Sequence, residues 1–598
     1  MIDRLAAHLK LTFYLCLLTA GAVWLFLKGA PAAGNALTHL YQWSIVGYYG
    51  TLITIAGVLL APLSLFRFTR WAWPLLGWGW LVFLAIDTAL FYLYRFHLDW
   101  LMVDMFLRDF RGMGIPVFLL VLYAGGALVL LGFVLWLYRS PRTGGRRQLR
   151  WFVPGLLLML VGFVANSTIN IWAVHFVRNE VTRYRPFLPV YYPVEKDAQA
   201  KGISEALPSI FPAAYGRRED LAGSSGGIVT YPLSKPVCTP KAAAPSILMI
   251  VVESWQAAAM NASVTPNVAK FASTSTRFDQ HVSSGAATVP GLFGLMYGLH
   301  PTYFYLIKSA ANSYPSQFTE TLHDQHYRAR VFTSSNLDGF SLKSMFFSHV
   351  SKDDYHAHAS DEVLVQQYID SLNSAEPRRF DFLFLTSSHA SYNYPPAYAR
   401  FKPLPTVEGG YALDRQADAV PYKNDYYNSL YYTDALIGKA LAAAEQQGRL
   451  KNTWVIITGD HAEEFNENGL GYWGHGSNFS RWQTQTPMII RAPAQSAGRL
   501  EKRLSLHQDV VPTLMRDALG CASAESAYSN GANLFHLPEK RGTVMASYMS
   551  SAYLVDGTVV DKAGAGRYGW RDMGKQAEQE DMTRLRSVMA EERRFIAP

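Results

Sequence analysis

A chain of 598 residues that is half hydrophobic and only 17% charged is too long and too apolar to be one soluble domain. Its net charge of +8 comes largely from arginines between apolar runs, so it reads as membrane topology and contact with anionic lipid. Nucleic-acid binding is excluded as a reading, because no recognition motif for it is present.

In chain order, the first ~175 residues hold five apolar segments near the ~20-residue length a bilayer requires, at roughly 11–28, 45–66, 72–94, 116–138 and 152–176. Arg4 and Lys10 precede the first, which lacks a small-residue cleavage site and is followed by four more spans, so it reads as a retained anchor. Arg67 and Arg70 lie between spans two and three, and Arg139, Arg142, Arg146, Arg147 and Arg150 between four and five. The first connection, Gly29 to Ser44, carries no lysine or arginine. The positive-inside rule therefore predicts a cytoplasmic amino terminus and, after an odd number of spans, a carboxy-terminal region outside. Asp87 in span three and Asn166, Ser167, Thr168 and Asn170 in span five are costly in hydrocarbon unless paired. They read as interhelical glue, with a signalling face as the other reading.

Residues 178–244 change character, with several prolines, Tyr191-Tyr192 and Ser224-Ser225-Gly226-Gly227, and predict a juxtamembrane linker near the outer leaflet. Within it Arg217-Arg218 have the guanidinium forks that match lipid phosphate. Beside Glu219-Asp220 the pair is equally a solvated basic patch. Cys16 lies in a span; Cys238 and Cys521 could pair in an oxidising compartment, which their separation leaves open.

From 245 to 598, short apolar strands (Ser246–Glu253, Arg328–Thr333, Phe382–Leu385, Thr453–Thr458, Pro487–Ile490) alternate with helical patterns such as Tyr427–Gln447. That alternation predicts an α/β domain with a mostly parallel sheet and helices on both faces. The predicted organisation is thus a five-helix transmembrane domain (1–177), a linker (178–244) and an α/β domain (245–598).

Open α/β sheets bind ligands at the carboxyl ends of their strands. Glu253 ends one strand, and Asp460-His461 follow the apolar run Trp454-Val455-Ile456-Ile457. Two carboxylates and an imidazole brought together there could face one divalent cation. Pro290 suits a first helical turn, placing Thr288 at or near the cap, as a plain cap or as a nucleophile activated by the cation. His389 follows another strand, where it could bind a phosphate oxygen or protonate a leaving group. His475, between Gly474 and Gly476, is a candidate metal or substrate contact. At most one of Glu463 and Glu464 is expected at the site, and His281 reads as structural.

Glu253 ending a strand, Thr288 opening a helix, His389 after a strand and Gly459-Asp460-His461 together resemble the alkaline phosphatase and sulfatase superfamily, in its five-span branch with lipoteichoic acid synthases and phosphoethanolamine transferases. The resemblance implies that Glu253, Thr288, Asp460 and His461 bind one manganese or zinc ion, with magnesium a further option. It also implies that Thr288 is the nucleophile and that His389 contacts substrate. Ser283-Ser284-Gly285, Gly291-Leu292-Phe293-Gly294-Leu295-Met296-Tyr297-Gly298, Arg217-Arg218 and the closing Glu592-Arg593-Arg594-Phe595-Ile596-Ala597 look like the YejM (PbgA) inner-membrane family of Gram-negative bacteria. That narrower resemblance implies recognition of lipopolysaccharide through lipid A and a LapB-like cytoplasmic partner. Thr288-Val289-Pro290-Gly291-Leu292 lacks the oxidisable cysteine or serine and the arginine of true sulfatases, so sulfate ester hydrolysis is not expected. Two functions follow: a metal-dependent hydrolase or transferase on a phosphate ester or phosphodiester, or a non-catalytic lipid A sensor built on the same scaffold.

Overall fold

The computed structural model describes residues 2–28, 30, 33–94, 97–98, 103, 117–139, 145–175, 181, 184–193, 197–207, 210–211, 229–241, 243–308, 313–357, 359–374, 376–406, 414–548, 550–562, 567–574 and 582–597. Arg217 and Arg218 lie outside the described residues. The chain forms two compact units: the described residues up to 98 and from 117 to 211 make the first, and residue 103 with those from 229 onward make the second.

The first unit contains helices α1 (Ile2–Lys28), α2 (Ala36–Leu60), α3 (Ala72–Tyr94), α4 (Val117–Arg139), α5 (Gly145–His175) and the short α6 (Asp197–Ala206). The first five are long and apolar enough to cross a membrane. Their buried polar groups are largely paired. Asn166 Nδ2 donates to Ser44 Oγ on α2 at 3.2 Å, Tyr41 Oη to Asn170 Oδ1 at 3.0 Å, and Tyr191 Oη to Asn166 Oδ1 at 2.8 Å. Asp87 accepts from His97 Nδ1 at 2.8 Å and from the Leu98 N–H at 2.5 Å. Ser167 Oγ is buried with no partner among the described residues. Part of the expected linker packs instead on the helices. Tyr184 and Leu188 are buried, and Tyr49 Oη donates to the Pro189 carbonyl at 2.5 Å. Tyrosines supply both apolar area and a hydroxyl for the carbonyls of a non-helical segment, which is what docking such a segment requires.

In the second unit the main sheet has strands β1 (Ser246–Val252), β2 (Thr276–Val282), β3 (Arg328–Thr333), β4 (Tyr355–Ala357), β5 (Arg379–Leu385), β6 (Thr453–Gly459), β9 (Met488–Arg491) and β10 (Arg499–Leu506). A two-stranded hairpin, β7 (Glu464–Phe465) and β8 (Trp473–Gly474), falls between β6 and β9. The sheet order is β10-β2-β9-β6-β1-β5-β3-β4, parallel except where β9 runs against β6 and β2. Burial explains the continuous apolar runs of the central strands. Ile247, Met249 and Val251 of β1 join one core with helix α8 (Thr288–Tyr297). Leu248, Ile250 and Val252 join the opposite core with α7 (Pro266–Ala272), α9 (Asp361–Ser371) and α10 (Ala419–Gln446).

Boundaries differ from the sequence expectation for identifiable reasons. β5 begins three residues early, because charged Arg379 and Asp381 sit on one strand face and pair with each other, Nε to Oδ2 at 3.0 Å. α10 begins at Ala419 because the Asp418 side chain caps the Val420 N–H at 3.0 Å. Strands β2 and β10 were not expected from the sequence; their polar alternation marks the half-exposed end of the sheet. Cys238 and Cys521 form a disulfide.

Candidate functional site

β1 and β6 are adjacent and parallel, with Val252 opposite Gly459, so the residues that follow them emerge side by side at the carboxyl edge of the sheet. Ser254 adopts the left-handed conformation (φ 56°), a cost of order 1–3 kcal/mol for a non-glycine residue, and this turn brings its N–H to Asp460 Oδ1 at 2.9 Å. The His461 N–H binds the same oxygen at 2.8 Å.

Thr288 is the first residue of α8, whose cap position is Ala287; its side chain caps nothing. Its hydroxyl instead donates to Glu253 Oε1 at 3.0 Å and lies 3.4 Å from His461 Nε2. His461 Nε2 is 3.0 Å from Glu253 Oε1 and 3.4 Å from Asp460 Oδ2. Ligand atoms of Glu253, Asp460 and His461 all lie within 4.8 Å of one another. His461 Nδ1 donates to the Ala462 carbonyl at 3.0 Å, which fixes the tautomer that leaves Nε2 facing the site.

Glu253, Asp460 and His461 are almost completely withdrawn from water, so their charges act strongly on one another. Burial pushes the Glu253 carboxyl up, but the hydrogen bond and charge of His461 outweigh it and hold Glu253 at about 2. Burial, and then the charge of Glu253, push Asp460 well above the usual carboxylate range. Burial lowers His461, yet Asp460 and Glu253 together lift it to about 9. Asp460 Oδ2 is buried with no hydrogen-bond donor among the described residues. Two carboxylates, one imidazole and a hydroxyl, with one carboxylate oxygen left unsatisfied, fit a divalent cation.

His475 follows β8 and lies beside this set, its ring 4.3 Å from that of His461 and 5.6 Å from that of His389. Gly474 and Gly476, at φ 77° and 81°, turn the chain sharply on either side of it. Its Nδ1 donates to Glu463 Oε2 at 2.7 Å, while Tyr392 Oη donates to Glu463 Oε1 at 3.3 Å. Burial raises Glu463, but the charge and hydrogen bond of His475 bring it below its ordinary value. His389 Nδ1 donates to the Ala390 carbonyl at 2.6 Å. Asp361, at the start of α9, accepts from the N–H groups of Thr386 and Ser387 at 3.1 and 2.8 Å and so fixes the turn leading to His389. His281 lies elsewhere, buried against Ser505 and His507.

The six predicted residues of this site, Glu253, Thr288, His389, Asp460, His461 and His475, are therefore brought together. Glu463, Tyr392, Asp361 and the Ser254 N–H complete the arrangement. Of these only Glu463 carried a sequence signal, as an acidic residue two positions after the Asp-His turn.

Comparison with known proteins gives the same framework. The Sulfatase family profile matches residues 245–520, and a domain of unknown function, DUF3413, matches residues 11–204. Inner membrane protein YejM of Salmonella typhimurium is 26% identical over 604 residues, covering 96% of this chain and 94% of that protein. The chain is a sulfatase-domain protein of the alkaline phosphatase superfamily, homologous to YejM. An uncharacterized Haemophilus influenzae protein is 25% identical over 458 residues, 76% of this chain and 71% of its own. The integral membrane lipooligosaccharide phosphoethanolamine transferase A (EptA) of Neisseria meningitidis is 15% identical with a TM-score of 0.56, covering 87% of this chain and 97% of that one. EptA shares the architecture of this YejM homologue: apolar amino-terminal helices and a sulfatase-like α/β domain.

Proposed function

We propose that this inner-membrane YejM homologue is a metal-dependent hydrolase or transferase of a phosphate ester or phosphodiester carried by an envelope lipid or glycan. The observation that carries the reading is the direction of the Thr288 hydroxyl. It leaves its own helix uncapped and points at Glu253 Oε1 and His461 Nε2. Thr288 Oγ1 would attack phosphorus and lose its proton, the leaving-group oxygen would depart, and the resulting phosphothreonine would be resolved by water or an acceptor hydroxyl. Glu253, Asp460 and His461 would hold the divalent ion, which when bound neutralises phosphate charge and favours the threonine alkoxide. His389 and His475 would hold phosphoryl oxygens or pass a proton to the leaving group. The helix amino terminus at Thr288 adds a favourable dipole for an anion.

The Cys238–Cys521 disulfide supports an oxidising compartment for the sulfatase domain. Together with Arg67, Arg70 and the arginines after Tyr138, it favours a cytoplasmic amino terminus and a periplasmic carboxy-terminal domain.

Full-length protein loaded with manganese or zinc should hydrolyse bis(p-nitrophenyl) phosphate, and Thr288→Ala should abolish turnover while metal content stays stoichiometric. Full activity in that variant would remove Thr288 as nucleophile. A wild-type protein with neither bound metal nor turnover would leave the non-catalytic reading, with Arg217 and Arg218 contacting lipid A and a LapB-like partner receiving the signal.

A further inference from the structure

The hairpin that presents His475 is organised by a second buried carboxylate. Glu463 and Glu464 are neighbours on an extended segment, so their side chains leave in opposite directions. Glu463 goes to His475, whereas Glu464 turns away from the site. Glu464 is fully buried, and among the described residues no cation pairs with it. Three side-chain amides converge on it instead: Asn468 Nδ2 on Oε1 at 2.6 Å, and Asn478 Nδ2 and Gln483 Nε2 on Oε2 at 2.7 and 2.8 Å.

The positions of those donors give the contact its meaning. Asn468 lies in the loop joining β7 to β8, and Asn478 and Gln483 lie in the segment after His475. Gln483 Oε1 also accepts from the Ser477 and Asn478 N–H groups at 3.0 and 3.1 Å, and the Gln483 carbonyl accepts from the Ala462 N–H at 3.1 Å. One carboxylate therefore fastens both ends of residues 465–478, the stretch that carries His475 to within a ring contact of His461. A buried carboxylate without a cation is expensive unless every oxygen is hydrogen-bonded, and here both are. Burial pushes Glu464 up to about 7 against those same amide hydrogen bonds, as that desolvation requires.

We infer that Glu464 is a positioning residue for the site, holding His475 in place by tying the two ends of its hairpin together. The inference rests on the phosphate-ester reading for its kinetic consequence, and on the hydrogen-bond geometry alone for its structural one.

The test uses full-length protein in detergent with manganese, bis(p-nitrophenyl) phosphate as probe, and the variants Glu464→Ala, Glu464→Gln, His475→Ala and Glu464→Ala with His475→Ala. Glu464→Ala should lower kcat by roughly 10–100-fold, as displacement of a proton-transferring or oxygen-holding group does, with KM changed less than about threefold. Glu464→Gln keeps one carbonyl oxygen for the amide donors and should recover most of the loss. In the His475→Ala background Glu464→Ala should cost nothing further, because both act through one imidazole. Independently of turnover, hydrogen–deuterium exchange in Glu464→Ala should rise within 465–478 while β6 and α8 stay protected. Additive kinetic losses, unchanged exchange in 465–478, or exchange raised across the whole domain would each overturn the assignment. A wild-type protein without turnover would defeat the phosphate-ester reading alone, and the exchange measurement would still decide whether Glu464 holds the hairpin.

Discussion

Gly291 is where the helix opened by Thr288 meets the Asp460-His461 turn, and substituting it tests how the two are held together. A Cβ built there would stand 2.2 Å from the Asp460 carbonyl oxygen, 2.9 Å from its carbon and 3.3 Å from Ser283 Oγ. Carbon and oxygen approach no closer than about 3.3 Å without strain, so helix and turn must part by about 1 Å. On helix propensity alone, Gly291→Ala should stabilise α8 by about 1 kcal/mol. The close approach predicts the opposite: overpacking of backbone against backbone costs about 1–3 kcal/mol. Thr288 lies one turn earlier on the same helix, and its hydroxyl is placed by contacts of 3.0 and 3.4 Å. A displacement of about 1 Å there should lower kcat/KM by about 100-fold. Thermal unfolding followed by tryptophan fluorescence, with phosphodiester hydrolysis on the same sample, measures both effects. A variant that melts at or above the wild-type temperature and keeps kcat/KM within twofold would refute the reasoning.

Gly47 and Gly162 bring α2 and α5 into backbone contact, a Cβ on Gly47 falling 2.6 Å from Gly162 Cα. Gly47→Ala should therefore separate the two helices and lower the aggregation temperature of the solubilised protein; an unchanged temperature would contradict the packing. Chelation followed by dialysis should abolish phosphodiester hydrolysis and lower the melting temperature, since no cation then offsets the buried Glu253 and Asp460; manganese or zinc should restore both, and activity that survives complete removal would exclude the proposed ligand set. Hydrogen bonds from Arg503 hold Glu501 at about 2 despite its burial. A depressed carboxyl adds stability above the unfolded value of about 4.3 and loses it as pH falls through the folded one. The melting difference between wild type and Glu501→Gln should thus be full at pH 6 and shrink from about pH 4 toward 2; a constant difference would show that Glu501 stabilises through packing alone.

Local chemistry determined a good part of this protein in advance. The length of an uninterrupted apolar run marks a membrane span, because hydrocarbon thickness sets it. The strands ending at Glu253 and before Asp460-His461 were legible because strands buried on both faces have no polar alternation. In a parallel sheet, residues following adjacent strands share one edge, which is why Glu253, Asp460 and His461 could be grouped from the sequence. Where charge was paired internally the reading fell short, as at Arg379 and Asp381, whose mutual pairing disguises the start of β5. Tertiary structure alone decided that Glu463 turns toward His475 and Glu464 toward three amides, that Thr288 spends its hydroxyl on Glu253 instead of on its helix, and that Tyr184 to Tyr192 dock on the membrane helices. Each of those outcomes depends on which donor or apolar face a distant segment brings within a few ångströms, and neither residue type nor spacing along the chain encodes that distance.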